Sequence, residues 1–512
     1  MRLDQPPVIA SAPTTSPRRR RRGARILRGL GALTCALLLI GGGVAGWAWW
    51  QGERLVDRFG SGDKAAVVDA TLPFLGTGAP GSAEVDLPAP AGAQQTTNVL
   101  LIGSDTRTSS GGNSDTLILA RLDDAKGTIS LLSIPRDLKV PIPKHQDFKI
   151  NGAYSIGGPA LTIETVRDYF QVRIDHFAVV DFAGFQKLVE TLDGVYLSVD
   201  QRYFNRNDGS AENNYADIDL EVGYQKLEGA DALSFARFRH TDSDYFRQAR
   251  QQMFLSELKR VLSTTLGPSN PGKLRNVLEA TADATTSDIS SLTELIDLVN
   301  AVRDVAPDRV YRFTIPTTGG LESDGRYYLY ADPEEVQEVM RAWHDPSAPR
   351  EPVPQASREG SGVEGSTRED RAVAADGTGD DGGQAAALLE GLSADAGGLA
   401  VCAPARRPVG SSYLEDNHRS YRLNNKPSIA LAGSLGSGRS FLWMWSAWDR
   451  PPILDQPHET RTIDGRRYRL YRDAGHLRVV AFTQGATTVW LTNTLRGDLS
   501  DKTMLTMATS CR

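Results

Sequence analysis

Cysteine, methionine and histidine are all scarce, at three, six and seven in 512 residues. His145, His176 and His240 fall in three separate segments. None shows the H-E-x-x-H spacing of a helical zinc site, so they read as structural or surface residues. A large charge excess is also missing. The formal net charge of -6 argues against a general nucleic-acid binder, and any basic site has to be local. There is no internal repeat. "AGSLGSGRS", 432–440, lacks the Lys-Ser/Thr ending of a phosphate loop and reads as a turn. What remains is ordinary: 40 % hydrophobic and 23 % charged residues suit globular protein, and 512 residues exceed one core, so two or more domains are expected.

Long apolar runs are absent apart from one. Residues 26–50 form a stretch long enough for a membrane helix, which needs roughly 20 residues. The arginine-rich tail, 1–25, keeps its end in the cytoplasm, and Trp47, Trp49 and Trp50 suit the far interface. A cleaved signal peptide is the rival reading. The apolar run exceeds the usual signal core, however, and tryptophans stand where small residues would precede a cleavage site. The expectation is a single-pass anchor with everything after residue 51 extracytoplasmic. Cys35 then lies in the span as an apolar filler, while Cys402 and Cys511 face an oxidising compartment and are a candidate disulfide.

Residues 51–96 read as a juxtamembrane segment and spacer. From 97 to 343 strand-like and helix-like patterns alternate, which predicts an α/β (α+β) domain with a central mixed sheet flanked by helices. Residues 344–398 are rich in Pro, Gly, Ser and acids and read as a disordered linker. From 399 to 512 "RTIDGRRYRLYR" and "LRVVAFTQGATTVWLTNTL" read as strand pairs with turns at Gly465 and Gly485. Ser500 caps a last helix, giving a small C-terminal α+β accessory domain.

Charged residues gather where the first strands end. Asn98–Gly103, Thr116–Leu122 and Thr128–Ile134 are three strands, and "DDAKG" favours an antiparallel hairpin between the last two. Pairing Leu122 with Thr128 sets Asp115 opposite Pro135, close to Arg136 and Asp137. With the first strand parallel to the third, Asp105 and Arg107 reach the same rim. A surface ion-pair cluster is the bland alternative.

A second cluster lies in "LEGADALSFARFRHTDSDYFRQARQQMFLSEL". Arg237 and Arg239 flank Phe238 as an extended segment would place them. Asp244 can cap the next helix, on which Arg247, Arg250 and Gln251 are spaced i, i+3 and i+4. Planar guanidinium forks in this number suit a pyrophosphate, although Asp242 and Asp244 could neutralise them internally.

The ordered blocks "NVLLIGSDTR", "NSDTLILARL", "LLSIPRDLKV", "KINGAY", "VVDFAGFQKLVETLDGV", "LEGADALSFARFRH" and "DYFRQARQQ" resemble the LytR-CpsA-Psr family of cell-wall glycopolymer ligases over residues 97–265 and on to about 343. The resemblance implies a membrane-anchored, extracytoplasmic phosphotransferase. Such an enzyme moves a glycopolymer from a polyprenyl-diphosphate carrier to peptidoglycan through a phosphodiester. It implies that Asp105 and Asp115 hold Mg2+, and that Arg136, Arg237, Arg239, Arg247 and Arg250 bind the diphosphate with help from Arg107, Lys149 and Gln251. Asn113 stands where family members commonly carry Arg, a departure for which Arg107 is the compensating candidate.

The residues are consistent with that chemistry. Phosphoryl transfer depends on positioning and charge neutralisation, and Mg2+ often uses only one or two carboxylates beside substrate phosphate. No protein nucleophile is needed; an acceptor hydroxyl attacks, with Asp105 as candidate base. Phe182, Phe185, Val189 and Leu192 at helical spacing offer an apolar lining for a lipid, or ordinary core. Two other readings stand beside this one: a pyrophosphatase passing the same substrate to water, and a noncatalytic lipid-phosphate scaffold. No nucleic-acid partner is expected.

Overall fold

The computed structural model describes residues 96–104, 114–207, 216–238, 244–265, 271–290 and 309–346. It also describes 377–512 apart from 437, 474 and 475, with a few single positions besides. The tail, the expected membrane span at 26–50 and nearly all of the spacer lie outside these residues, as do Asp105, Arg107, Asn113, Arg239 and His240. Among the described residues no helix is long and apolar enough to cross a membrane.

The first module contains β1 (Thr96–Ser104), β2 (Ser114–Asp123), β3 (Thr128–Ile134), β4 (Lys139–Val140), β5 (Phe148–Lys149), α1 (Gly152–Phe170), β6 (His176–Asp181) and α2 (Phe182–Thr191). It continues through β7 (Val195–Val199), β8 (Tyr203–Asn205), β9 (Ile218–Leu220), β10 (Gly223–Leu227), α3 (Gly229–Arg237), α4 (Asp244–Thr265) and α5 (Pro271–Ala284). It ends with β11 (Thr285–Ser287), β12 (Val310–Thr314), β13 (Thr318–Leu321), β14 (Tyr327–Tyr330) and α6 (Pro333–His344).

Six strands make one mixed sheet in the order β11-β6-β1-β2-β3-β12. β2 is antiparallel to both β1 and β3, β6 is parallel to β1, and β12 is parallel to β3. Their side chains alternate between two apolar layers, as a sheet covered on both faces requires. Leu117 and Leu119 join Ile163 and Val166 of α1 and Trp343 of α6 in one cluster. Ile118 and Ala120 lie in the other, against Leu255 of α4.

The β2–β3 register differs from expectation by one residue, with Asp123 rather than Leu122 opposite or beside the turn: the pairs are Asp123↔Thr128 and Leu122↔Ile129. Gly127 at φ +59° closes a tight turn by donating its N–H to Asp124 O at 3.3 Å, so the ladder gains a rung. Continuing that register carries Asp115 from Pro135 to Arg136.

The second module opens earlier than the sequence suggests. Within the expected linker, β15 (Thr378–Asp380) and α7 (Gln384–Asp395) are folded, β15 pairing with β16 (Arg406–Pro408). The Gly/Asp-rich start masks an apolar face, on which Ala385 and Leu389 are buried. Then follow β17 (Ser412–Leu423), β18 (Lys426–Ser434), β19 (Ser440–Ser446), β20 (Glu459–Ile463), β21 (Arg466–Asp473), β22 (His476–Gln484), β23 (Thr487–Thr492) and α8 (Asp501–Thr509). The seven strands from β17 onward form an antiparallel sheet, β17-β18-β19-β23-β22-β21-β20. The stretch 432–440 is the β18–β19 connection, closed by Leu435 N–H donating to Arg439 O at 2.8 Å. Ser500 caps α8 by accepting from Thr503 N–H, and Cys402 and Cys511 form a buried disulfide.

The described residues of both modules belong to one compact unit. Val222 and Tyr224 of the first module lie in one apolar cluster with Leu442, Met444 and Trp490 of the second. The Tyr224 carbonyl accepts from the Tyr421 hydroxyl at 2.7 Å, and the Val222 carbonyl accepts from Arg419 Nε at 2.6 Å. Gly223 adopts φ +123°, and a Cβ there would sit 2.8 Å from the Tyr421 hydroxyl, so only glycine fits this approach. Asp473 accepts from both Arg312 of β12 and Arg478 of β22, bridging the modules a second time.

Candidate functional site

β1, β3, β6 and β12 run the same way, so their carboxyl ends meet at one edge of the first sheet. Ligands of α/β sheets collect at such an edge. β1 ends there with a bulge between Gly103 and Ser104, which re-aims the chain just before Asp105 and across from Asp115. Gly103 keeps this crossing close: a Cβ there would lie 3.0 Å from Thr116 Cβ and would press on that side chain. Ser104 and Ser114 face each other across the bulge. Both are fully buried, and their hydroxyls have no hydrogen-bond partner among the described residues.

From the end of β3, Arg136 donates from Nη1 to Asp115 Oδ1 at 2.8 Å and sits 3.4 Å by Nε from Asp137 Oδ2. Lys149 Nζ meets the other oxygen of Asp137 at 2.7 Å. The four form an alternating ladder, Asp115–Arg136–Asp137–Lys149, each about a quarter exposed. The backbone is pinned beneath them: Asn151 N–H donates to Arg136 O at 3.2 Å, and Ile150 N–H to Leu138 O at 2.8 Å.

Two helices bring further groups to this edge. Asp181, opposite Ser104, caps α2 by accepting from Gly184 N–H at 2.7 Å. The next residue, Phe182, carries the Arg237 guanidinium 4.3 Å from its ring centroid. Gln251 Nε2 donates to Thr116 Oγ1 at 2.8 Å and to the Ala236 carbonyl at 3.3 Å, tying α4 and the end of α3 to the start of β2.

With this geometry in place, comparison with known proteins places the chain. The sequence profile of the LytR_cpsA_psr family matches residues 79–344. The chain belongs to the LytR-CpsA-Psr family. Among its relatives is the polyisoprenyl-teichoic acid–peptidoglycan teichoic acid transferase TagU of Halalkalibacterium halodurans. It is 32 % identical over 253 residues, which cover 48 % of this chain and 78 % of the relative. The transferase of the same description, TagV of Bacillus subtilis, is 29 % identical over 254 residues, covering 48 % and 63 %. The crystal structure of B. subtilis TagV aligns with 28 % identity and a TM-score of 0.43, covering 49 % of this chain and 97 % of that one.

Within this family member the expected metal-holding and diphosphate-binding residues divide. Asp115, Arg136, Lys149, Arg237 and Gln251 reach the sheet edge. Arg250 does not: it is fully buried, with Nε on the Phe235 carbonyl at 3.0 Å and Nη2 on the Phe238 carbonyl, and its guanidinium lies 4.9 Å from the Tyr203 ring centroid. It closes the carboxyl end of α3, where positive charge suits the helix dipole. Arg247, one turn earlier on α4, is 4 % exposed. Arg237 is the last residue of α3 rather than part of an extended run, and α4 begins at Asp244 rather than after it. Of the apolar stripe on α2, Val189 and Leu192 are buried and Phe185 packs on Phe254, 4.8 Å between centroids.

Asp115 offers carboxylate oxygens here, and the buried Ser104 and Ser114 hydroxyls beside it have no hydrogen-bond partner among the described residues. This set fits a hard divalent cation. Among the described residues no group of three or more His, Cys, Asp or Glu side chains is arranged to hold a metal, which such a cation does not need when substrate phosphate completes its shell. Asp137 is the residue that sequence reasoning placed nearby without assigning a role. Its two oxygens join Arg136 to Lys149, a link invisible until β4 and β5 pair Lys139 with Lys149.

Proposed function

We propose that this protein is a membrane-anchored, extracytoplasmic, Mg2+-dependent phosphotransferase that attaches a glycopolymer from a polyprenyl-diphosphate carrier to peptidoglycan. The observation carrying the reading is the Asp115–Arg136 pair at the carboxyl edge of the sheet, with the Asp137–Lys149 pair continuing it. Family membership and the activities named for TagU and TagV support the substrate class. The basic tail and apolar run at 26–50 support the anchor.

Arg136, Lys149 and Arg237 bind the diphosphate oxygens and offset their charge as it redistributes. An acceptor hydroxyl oxygen attacks the phosphorus bearing the glycan. The bond from that phosphorus to the bridging oxygen breaks, and polyprenyl monophosphate leaves with the electron pair. The hydroxyl proton passes to a carboxylate, for which Asp105 is the candidate. Asp105 and Asp115 would hold Mg2+, which supplies charge neutralisation at the diphosphate when bound.

The test is product identity. Full-length protein in detergent, given lipid-linked glycan and peptidoglycan, should yield wall-attached glycan and free polyprenyl monophosphate. Release of soluble phosphorylated glycan without an acceptor would establish a pyrophosphatase, and no turnover with retained binding would establish a scaffold.

A further inference from the structure

The charge ladder does not stop at Lys149. The β13–β14 hairpin is bolted to it through backbone: Leu329 N–H donates to the Asp137 carbonyl at 2.9 Å, and Leu138 bridges Leu329. Tyr328 is the anchor of this hairpin, 2 % exposed, with Phe148 edge-on at 6.2 Å between centroids. Two ammonium groups approach its ring, Lys149 at 5.8 Å and Lys139 at 5.0 Å from the centroid. Lys139 also lies 6.0 Å from the ring centroid of Tyr330, which is 36 % exposed. Glu322 accepts from both Lys139 and the Tyr330 hydroxyl on the same oxygen, Oε1. Its Oε2 takes no protein hydrogen bond among the described residues.

The result is a strip that begins with phosphate-type groups and becomes an exposed aromatic face flanked by a carboxylate and an ammonium. A sugar ring has that complementary character: an apolar C–H face for an aromatic ring, and rim hydroxyls for charged hydrogen-bonding groups. In a carrier-linked glycan the first sugar is joined directly to the diphosphate, so it must lie beside the groups that grip the phosphates.

We propose that Tyr330, Glu322 and Lys139 form the subsite for the carrier-linked sugar next to the diphosphate. Tyr330 offers its ring to the sugar face, while Glu322 Oε2 accepts and Lys139 donates hydrogen bonds at its hydroxyls. The Glu322 bond raises the Lys139 ammonium above its ordinary value, and the Lys139 bond lowers the Glu322 carboxyl, so both stay ionised at neutral pH. This inference rests on the phosphotransferase reading and adds to it the residues that distinguish a glycosylated carrier from a bare one.

The experiment compares two probes on the full-length protein in detergent: a polyprenyl diphosphate, and the same lipid diphosphate bearing one N-acetylglucosamine. Tyr330→Ala and Glu322→Gln are expected to weaken the glycosylated probe about tenfold, the scale of one charged hydrogen bond, and to leave the bare probe within about twofold. Tyr330→Phe keeps the ring and should retain more affinity than Tyr330→Ala. Equal weakening of both probes, or of neither, overturns the proposal. Unchanged donor binding with a raised KM for peptidoglycan also overturns it, by assigning the strip to the acceptor. Wild-type protein that fails to bind the bare diphosphate removes the phosphotransferase reading itself, a result distinct from the others.

Discussion

Asp115 on β2 and Arg136, two residues past the end of the adjacent β3, meet at 2.8 Å because the β2–β3 turn is one residue tighter than composition suggests. The pair is about a quarter exposed, so it is held in place yet open to a ligand. Removing Arg136 should therefore act on binding more than on folding. Arg136→Ala is expected to weaken polyprenyl diphosphate by about 1.5–3 kcal/mol in calorimetry, and Asp115→Ala to abolish transfer while the thermal midpoint moves little. Full turnover by Asp115→Ala would move the chemistry elsewhere.

Arg250 should behave in the opposite way. Arg250→Ala strips the end of α3 of its buried donors, and a loss of about 3 kcal/mol in urea unfolding is expected. A fall in diphosphate affinity at unchanged stability would instead restore it to the phosphate-binding set.

The Cys402–Cys511 bridge closes nearly the whole second module. Cys511→Ser should cost about 2–4 kcal/mol, read as a lower denaturant midpoint, and reductant should produce the same shift in the wild type.

Asp473 couples the modules through buried charge. Burial alone would raise its carboxyl, and Arg312 and Arg478 bring it below the ordinary value instead. Its contribution is thus complete above the usual carboxylate range and fades as pH falls below it. Asp473→Ala leaves two guanidinium groups facing each other, at a cost of about 3–5 kcal/mol. Chemical denaturation at neutral pH should register it; a shift under about 1 kcal/mol would make the pair incidental.

His344 gives a second acid-sensitive element. Burial, aided by Arg121, pushes its imidazole down to about 4 from an ordinary 6.5. Between those values the unfolded chain carries the proton and the folded chain does not, so stability falls as pH drops through that interval. His176, raised by its bond to Asp288, works in the other direction. Comparing wild type with His344→Gln in urea at several pH values isolates the first slope, which the variant should lack.

The long apolar strands were legible because β2 and β3 are largely buried apolar runs with a turn cluster between them, and the gathering of Asp115 with Arg136 followed from that hairpin. Arg250 was misread because spacing i, i+3 shows which helical face a residue occupies, not whether a neighbouring helix end will claim it. The helix at Gln384–Asp395 was hidden by the glycines and aspartates just before it. The Tyr330–Glu322–Lys139 group was out of reach because its members come from β4 and from a hairpin almost two hundred residues later, with no local pattern to join them.

Tyr224 is seated among side chains of the second sheet while its own strand belongs to the first module. A protease cut between residues 347 and 376 would therefore release no independent fragment. The two pieces would co-migrate as a noncovalent heterodimer, and a gene truncated there would express a product with an aromatic wound that self-associates.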